Sequence, residues 1–189
     1  CAVDAQYNTC VGNYSGRLIS GESNTFLGYA AGYAGMTSDE NTFVGHRCGQ
    51  LRTAGRDNTF VGANAGYTAG TGANNTAVGR AAGYTLSAGA GNTFFGRQAG
   101  YSCESSGNNT MVGHNSGVFN TGTNNTFIGC ETGTQSGSVD SGTQNILIGY
   151  GTNTATAADG YCIVISSDQD VGRGTSTALI DPNGGATFQ

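Results

Sequence analysis

The amino-acid sequence predicts an all-β chain: a parallel β-solenoid, or β-roll, of 16–17-residue coils, assembled as a homotrimer and closed by a C-terminal β cap. Three observations carry that expectation. A short phrase, N-T-Φ-Φ-G with Φ apolar, recurs nine times at nearly constant spacing. Glycine accounts for 34 of 189 residues, while proline occurs once, at Pro182. The two Φ residues are adjacent, so each copy sets an apolar side chain on both faces of a strand.

The phrase starts at Asn8, Asn24, Asn41, Asn58, Asn75, Asn92, Asn109, Asn125 and Asn145, in steps of 16, 17, 17, 17, 17, 17, 16 and 20. Thr follows Asn in the first eight copies, and Ile146 takes its place in the ninth. A glycine closes every copy, from Gly12 to Gly149, and a second falls four residues later in the first eight, from Gly16 to Gly133. Glycine at this frequency argues against helical repeats, since each one inside a helix costs about 1 kcal/mol. The phrase is short, rich in Thr, Phe and Val, and bounded by glycine, which is how a short strand reads. A unit of this length has room for two short strands and two tight turns, with glycine supplying the positive φ of the corners. Stacked about 4.8 Å apart, nine such coils make a rod on the order of 40 Å long.

Period-two geometry sends Thr59 and Val61 one way and Asn58 and Phe60 the other. A phenylalanine column (Phe26, Phe43, Phe60, Phe94, Phe127) and a Val or Leu column, represented by Val61, are therefore both apolar. One column fills the inside of the coil, and the other needs a second surface; these six residues are expected in core or trimer packing. A coil burying three apolar side chains gains about 1.5–3 kcal/mol for each. Ordering its backbone costs about 1–2 kcal/mol per residue. Neighbours above, below and alongside must share the burial, and three chains around an axis would supply it.

The other columns read as structural or as outer skin. Asn at the repeat start suits a corner and a ladder of amides, and Thr suits the pleated surface. A small column (Ser15, Ala31, Cys48, Ala65, Ala82, Ala99, Ser116, Thr132) is expected to face inward. The position after the first glycine varies most: Asn13, Tyr29, His46, Ala63, Arg80, Arg97, His114, Cys130 and Tyr150. Tyr33, Tyr67, Tyr84 and Tyr101 follow the second glycine and either pack or display aromatic rings. Residues 1–149 form the repeat domain. Beyond Tyr150 the phrase stops, and "YCIVISSDQD" and "ALIDPNGGATFQ" read as strands and turns of a cap or tip subdomain over 150–189.

Composition narrows the function. The charge of −5, from 12 acids against 7 arginines and no lysine, leaves no footprint for nucleic acid or acidic lipid headgroups. Apolar stretches reach only four or five residues, so no membrane insertion is expected. The chain begins at Cys1 with neither an initiator Met nor a signal-peptide pattern, which predicts a fragment or a processed form. The six cysteines (1, 10, 48, 103, 130, 162) fall in mismatched columns. They are expected to be small apolar fillers with free thiols, interchain bridges being the lesser alternative. There is no CxxC, so neither zinc nor another cofactor is expected. GxSxG, phosphate-loop and HExxH patterns are absent, and His46 and His114 lie four repeats apart, so no enzyme is expected. Asp168 and Asp170, with Asp181 downstream, read as a solvated turn in preference to a Ca²⁺ site.

The N-T-Φ-Φ-G phrase with its second glycine resembles the repeats of trimeric β-roll heads. Such heads occur in trimeric autotransporter adhesins, in phage or large-virus tail fibres, and in fibre proteins of predatory bacteria. The resemblance covers residues 8–149. The ending "ALIDPNGGATFQ" is similar to the segment that precedes a self-cleaving, trimerising chaperone domain in many tail-fibre proteins. The resemblance implies a trimer and surface adhesion, and carries over no binding residue. The expected function is thus an extracellular fibre or adhesin head, on a cell surface or virion, that binds a cell-surface glycan or envelope component. Ligand contacts are expected where the repeat is abandoned, at Tyr150, Tyr161, Asp168, Asp170 and Arg173, which supply an aromatic face, carboxylates and a guanidinium. A passive fibre spacer is the first alternative, and an ice-binding solenoid, suggested by the Thr column, is the second.

Overall fold

The computed structural model describes residues 6–34, 37–51, 54–68, 70–134, 141–154, 160–166, 178–181 and 187–188. Within them the chain is a parallel β-solenoid with no helix. Nine three-residue strands fall on the nine phrases: β1 (Thr9–Val11), β2 (Thr25–Leu27), β3 (Thr42–Val44), β4 (Thr59–Val61), β5 (Thr76–Val78), β6 (Thr93–Phe95), β7 (Thr110–Val112), β8 (Thr126–Ile128) and β9 (Ile146–Ile148). Three more follow, β10 (Ile163–Ser166), β11 (Ala178–Asp181) and β12 (Thr187–Phe188). All twelve lie in one sheet in chain order. Pairing is parallel with like residues stacked, as in Thr59 on Thr76, Phe60 on Ala77 and Val61 on Val78. Only β12 turns back, antiparallel to β11.

The phrase stops at Gly149, but the stack does not. Ile163, Val164 and Ile165 pair in register with Ile146, Leu147 and Ile148, and Val164 is fully buried in the Phe column. "C-I-V-I" is therefore another coil, with Cys162 in the place of Asn.

The columns resolve the question that the sequence left open. Phe26, Phe43, Phe60, Phe94 and Phe127 are buried completely, with Ala77, Met111, Leu147 and Val164 in the same file. They lie inside the chain's own coil, Phe43 stacking on Phe60 at 5.0 Å with rings 6° from parallel. Val61 is half-exposed on the opposite face. The facing wall is the small column, in which Ala31, Cys48, Ala65, Ala82, Ala99, Ser116 and Thr132 are all buried. Glycine makes the narrow core feasible: a Cβ on Gly66 (φ +54) would stand 2.3 Å from the Phe60 ring, and one on Gly62 (φ +135) 2.5 Å from the Gly79 carbonyl oxygen.

Two expectations need correction. Among the described residues each coil has one strand where the sequence allowed two; in the coil of β4, for example, the chain turns through positive φ at Asp57, Gly62, Asn64 and Gly66. Its far side is still tied coil to coil, as in Gly66 N–H to Ala82 C=O at 3.0 Å and Thr68 N–H to Tyr84 C=O at 2.9 Å. Glycine also holds only some of the corners. The second residue after the first glycine is left-handed without being glycine (Ala30, Arg47, Asn64, Glu131), as is the residue before the repeat Asn (Ser23, Asp57, Asn124, Tyr161). For residues other than Asn and Asp this conformation costs about 1–2 kcal/mol in isolation, offset here by intercoil bonds such as Arg47 N–H to Tyr29 C=O at 2.8 Å.

The asparagine ladder is present. Asn58 Oδ1 accepts the Asn75 backbone N–H at 3.0 Å and its Nδ2–H at 3.1 Å, while Asn75 Nδ2 also donates to Gly89 O at 2.8 Å. The buried amide thus meets its hydrogen-bonding demand from coil to coil. The ladder ends where Cys162 donates its N–H to Asn145 Oδ1 at 2.9 Å. Cys48, Cys103 and Cys162 are buried as small fillers, and Cys10, Cys48, Cys103, Cys130 and Cys162 are thiols.

Candidate functional site

Two outer surfaces follow from the stack. The first is the exposed face of the sheet. Every side chain that alternates with the buried Phe column points outward, giving a Thr column and, two residues on, an apolar one. The apolar column runs through Val11, Leu27, Val44, Val61, Val78, Phe95, Val112, Ile128, Ile148 and Ile165. Val11 is 54% and Phe95 57% exposed. A row of large apolar side chains on the open face of a sheet is the arrangement that marks a contact surface.

The second surface is the corner after the first glycine. Stacking brings side chains from consecutive coils together although they lie 16 or 17 residues apart in sequence. Tyr14 meets Tyr29 edge-on at 5.9 Å, and Tyr29 stacks on His46 at 5.4 Å. Arg17 lies over the rings of both Tyr14 and Tyr33, at 5.8 and 5.4 Å, and its guanidinium donates to the Tyr33 hydroxyl. Further along, Arg97 Nη1 is 2.7 Å from His114 Nε2, and Cys130 Sγ is 3.7 Å from His114 Nδ1. Tyr150 Oη lies 3.5 Å from Glu131 Oε2. Beside this stripe Tyr67, Tyr84 and Tyr101 form a stack with successive centroids 4.9 Å apart. That ladder packs and displays at once, since all three rings are half-buried.

Of the five residues expected to bind a ligand, Tyr150 and Tyr161 are 50% and 60% exposed. Tyr150 follows the C-terminal end of β9 and Tyr161 precedes the N-terminal end of β10, so parallel pairing sets them at opposite ends of the strand ladder. Tyr150 instead joins the corner stripe through Glu131. Asp168, Asp170 and Arg173 lie outside the described residues.

The sequence reading missed one grouping. The ligand atoms of His114, Cys130 and Glu131 all lie within 4.8 Å of one another. A search for local spacings such as CxxC cannot find it, because its members are joined by stacking. The available signal was the column itself: His114 and Cys130 occupy the same position in consecutive coils. A cleft of about 260 Å³ adjoins it, lined by Gln98, Asn115, Val118, Phe119, Glu131 and Thr134. No helix in the described residues is long and apolar enough to cross a membrane.

No family model, curated protein or solved structure matches the chain.

Proposed function

We propose that the chain is the non-catalytic head of an extracellular fibre, a homotrimer on a cell surface or virion that binds a cell-surface glycan or envelope component. The observation that carries this reading is the exposed apolar column from Val11 to Ile165. A partner that covers it along its whole length must repeat at the coil spacing, about 4.8 Å. A second and a third copy of this chain have that period by construction. Three such faces around one axis bury the column and leave the corner stripes outward, and a C-terminal cap would follow the coil at Cys162. Light scattering is expected to give three times the 19.0 kDa chain mass. A folded monomer at micromolar concentration would end the proposal.

Recognition in this reading belongs to the corner stripe, with Tyr150 as its C-terminal member. Stacked aromatic faces with arginines at intervals suit sugar rings and their hydroxyls. Threefold repetition raises the avidity of weak single sites. Folded trimers carrying Tyr29→Ala or Arg80→Ala are expected to bind target cells less well than the parent. Undiminished binding in these, with loss in Tyr161→Ala or Arg173→Ala, would move the site to the C-terminal tip.

One observation favours a second reading. The Thr column also lies on the open sheet face, exposed at Thr25, Thr59, Thr76 and Thr93, a regular array of the kind an ice-binding solenoid needs, although its threonines stand singly and not in pairs. The neighbouring column of Val, Leu, Phe and Ile favours assembly. Thermal hysteresis in a monomeric preparation would reverse that order.

A further inference from the structure

We propose that His114, Cys130 and Glu131 form a site for a single divalent metal ion of the zinc class. The three offer one imidazole nitrogen, one sulfur and one carboxylate, a donor set that suits a borderline-soft ion better than Mg²⁺ or Ca²⁺. The spacing fits as well. Tetrahedral zinc with ordinary Zn–S and Zn–N bonds requires about 3.6 Å between its sulfur and nitrogen ligands, and Cys130 Sγ stands 3.7 Å from His114 Nδ1. The backbone already holds the three in register. Glu131 N–H donates to His114 C=O at 2.9 Å, and Gly151 N–H donates to Cys130 C=O at 2.9 Å. Tyr150 Oη, 3.5 Å from Glu131 Oε2, supplies an outer partner of the kind that orients a ligating carboxylate.

Three protein ligands leave the fourth tetrahedral position to water or to a donor from a bound surface. Glu131 also lines the adjoining cleft with Gln98, Asn115 and Phe119, so an incoming group would meet the metal beside a partly apolar wall. Arg97 sets the resting state. Its Nη1–H donates to His114 Nε2, which places the imidazole proton on Nδ1, the nitrogen that faces Cys130. Metal at Nδ1 requires the other tautomer, with the proton on Nε2, so Arg97 must turn away. It is exposed and free to do so. The ion also displaces the Cys130 thiol proton to solvent, so binding weakens as pH falls.

The test is calorimetric titration of the full chain, kept reduced, with Zn²⁺, alongside Co²⁺ absorption spectra. One ion per chain and a thiolate-to-cobalt charge-transfer band are expected. Cys130→Ser should abolish that band, and Cys130→Ser and His114→Ala should each weaken binding roughly tenfold or more. Arg97→Ala should tighten it, by removing a competing donor and a positive charge. Circular dichroism on each variant confirms the fold. No binding at one ion per chain, a band that survives Cys130→Ser, or an Arg97→Ala variant that binds no more tightly would overturn the proposal.

Discussion

At the residue scale, the two glycines of each coil do different work. The first brings backbone against backbone: Gly62 has φ +135, and a Cβ there would stand 2.5 Å from Gly79 O. Gly62→Ala combines a conformation closed to L side chains with a clash against main chain. The expected loss is about 2–4 kcal/mol, read as a fall in the denaturant midpoint; an unchanged midpoint would contradict the packing described. Tyr84 carries a second prediction. Burial first, then Tyr101 and Tyr67, raise its phenol above the ordinary value, against a smaller lowering by Arg47. Below the ordinary tyrosine value of about 10 both folded and unfolded chains keep the proton, and the group contributes nothing to the pH dependence. As pH rises past it the unfolded chain ionises first, so stability falls until the folded value is passed. Tyr84→Phe should reduce that alkaline slope; an identical slope would show that the ring is not responsible.

At the element scale, one coil trades volume between two positions. Where the Φ residue is small, as Cys10 or Ala77, the residue nine places on is large and buried, Ile19 or Leu86. Where Φ is large, as Phe94 or Met111, that place holds buried Cys103 or Asn120. Leu86→Ala should therefore cost about 2–5 kcal/mol, and Ala77→Phe alone should overpack the coil. The double change should recover most of the loss, and strict additivity in a melting series would refute the compensation. Much of the coil was legible in the sequence. The nine phrases became nine strands, the Asn residues became a ladder, and the small column turned inward, because constant spacing forces like residues to stack. Period two showed that Phe60 and Val61 oppose each other, yet it carries no information on which way the chain then bends, so the buried column could not be named. The left-handed corners at Arg47 and Glu131 were hidden because intercoil hydrogen bonds, not residue type, hold them there. The coil at Cys162 lies 17 residues after Asn145, a step that matched even though the residues no longer did. The His114, Cys130 and Glu131 grouping was hidden for the same reason that it is compact: the stack joins what the chain separates.

At the scale of the whole molecule, the chain folds around one file of side chains and leaves a parallel file in the open. Its thiols belong to the same picture, since buried Cys48, Cys103 and Cys162 fill space in place of cross-linking it. Denatured, unreduced protein should titrate with most of its six cysteines as thiols, and three intrachain bridges would contradict the stacked-column reading. In the proposed trimer the two files would separate folding from assembly. Phe60→Asp buries an unpaired charge inside the coil and should unfold the chain itself, since such burial costs several kcal/mol. Val61→Asp lies on the open face, where a single chain tolerates it and an assembly places it in all three interfaces. The measurement that decides most directly is therefore the solution mass of Val61→Asp beside the parent, with circular dichroism on both. A trimeric parent and a folded, monomeric Val61→Asp are the predicted result; a trimer that survives Val61→Asp unchanged, or a parent that is itself monomeric, would contradict assembly through this face.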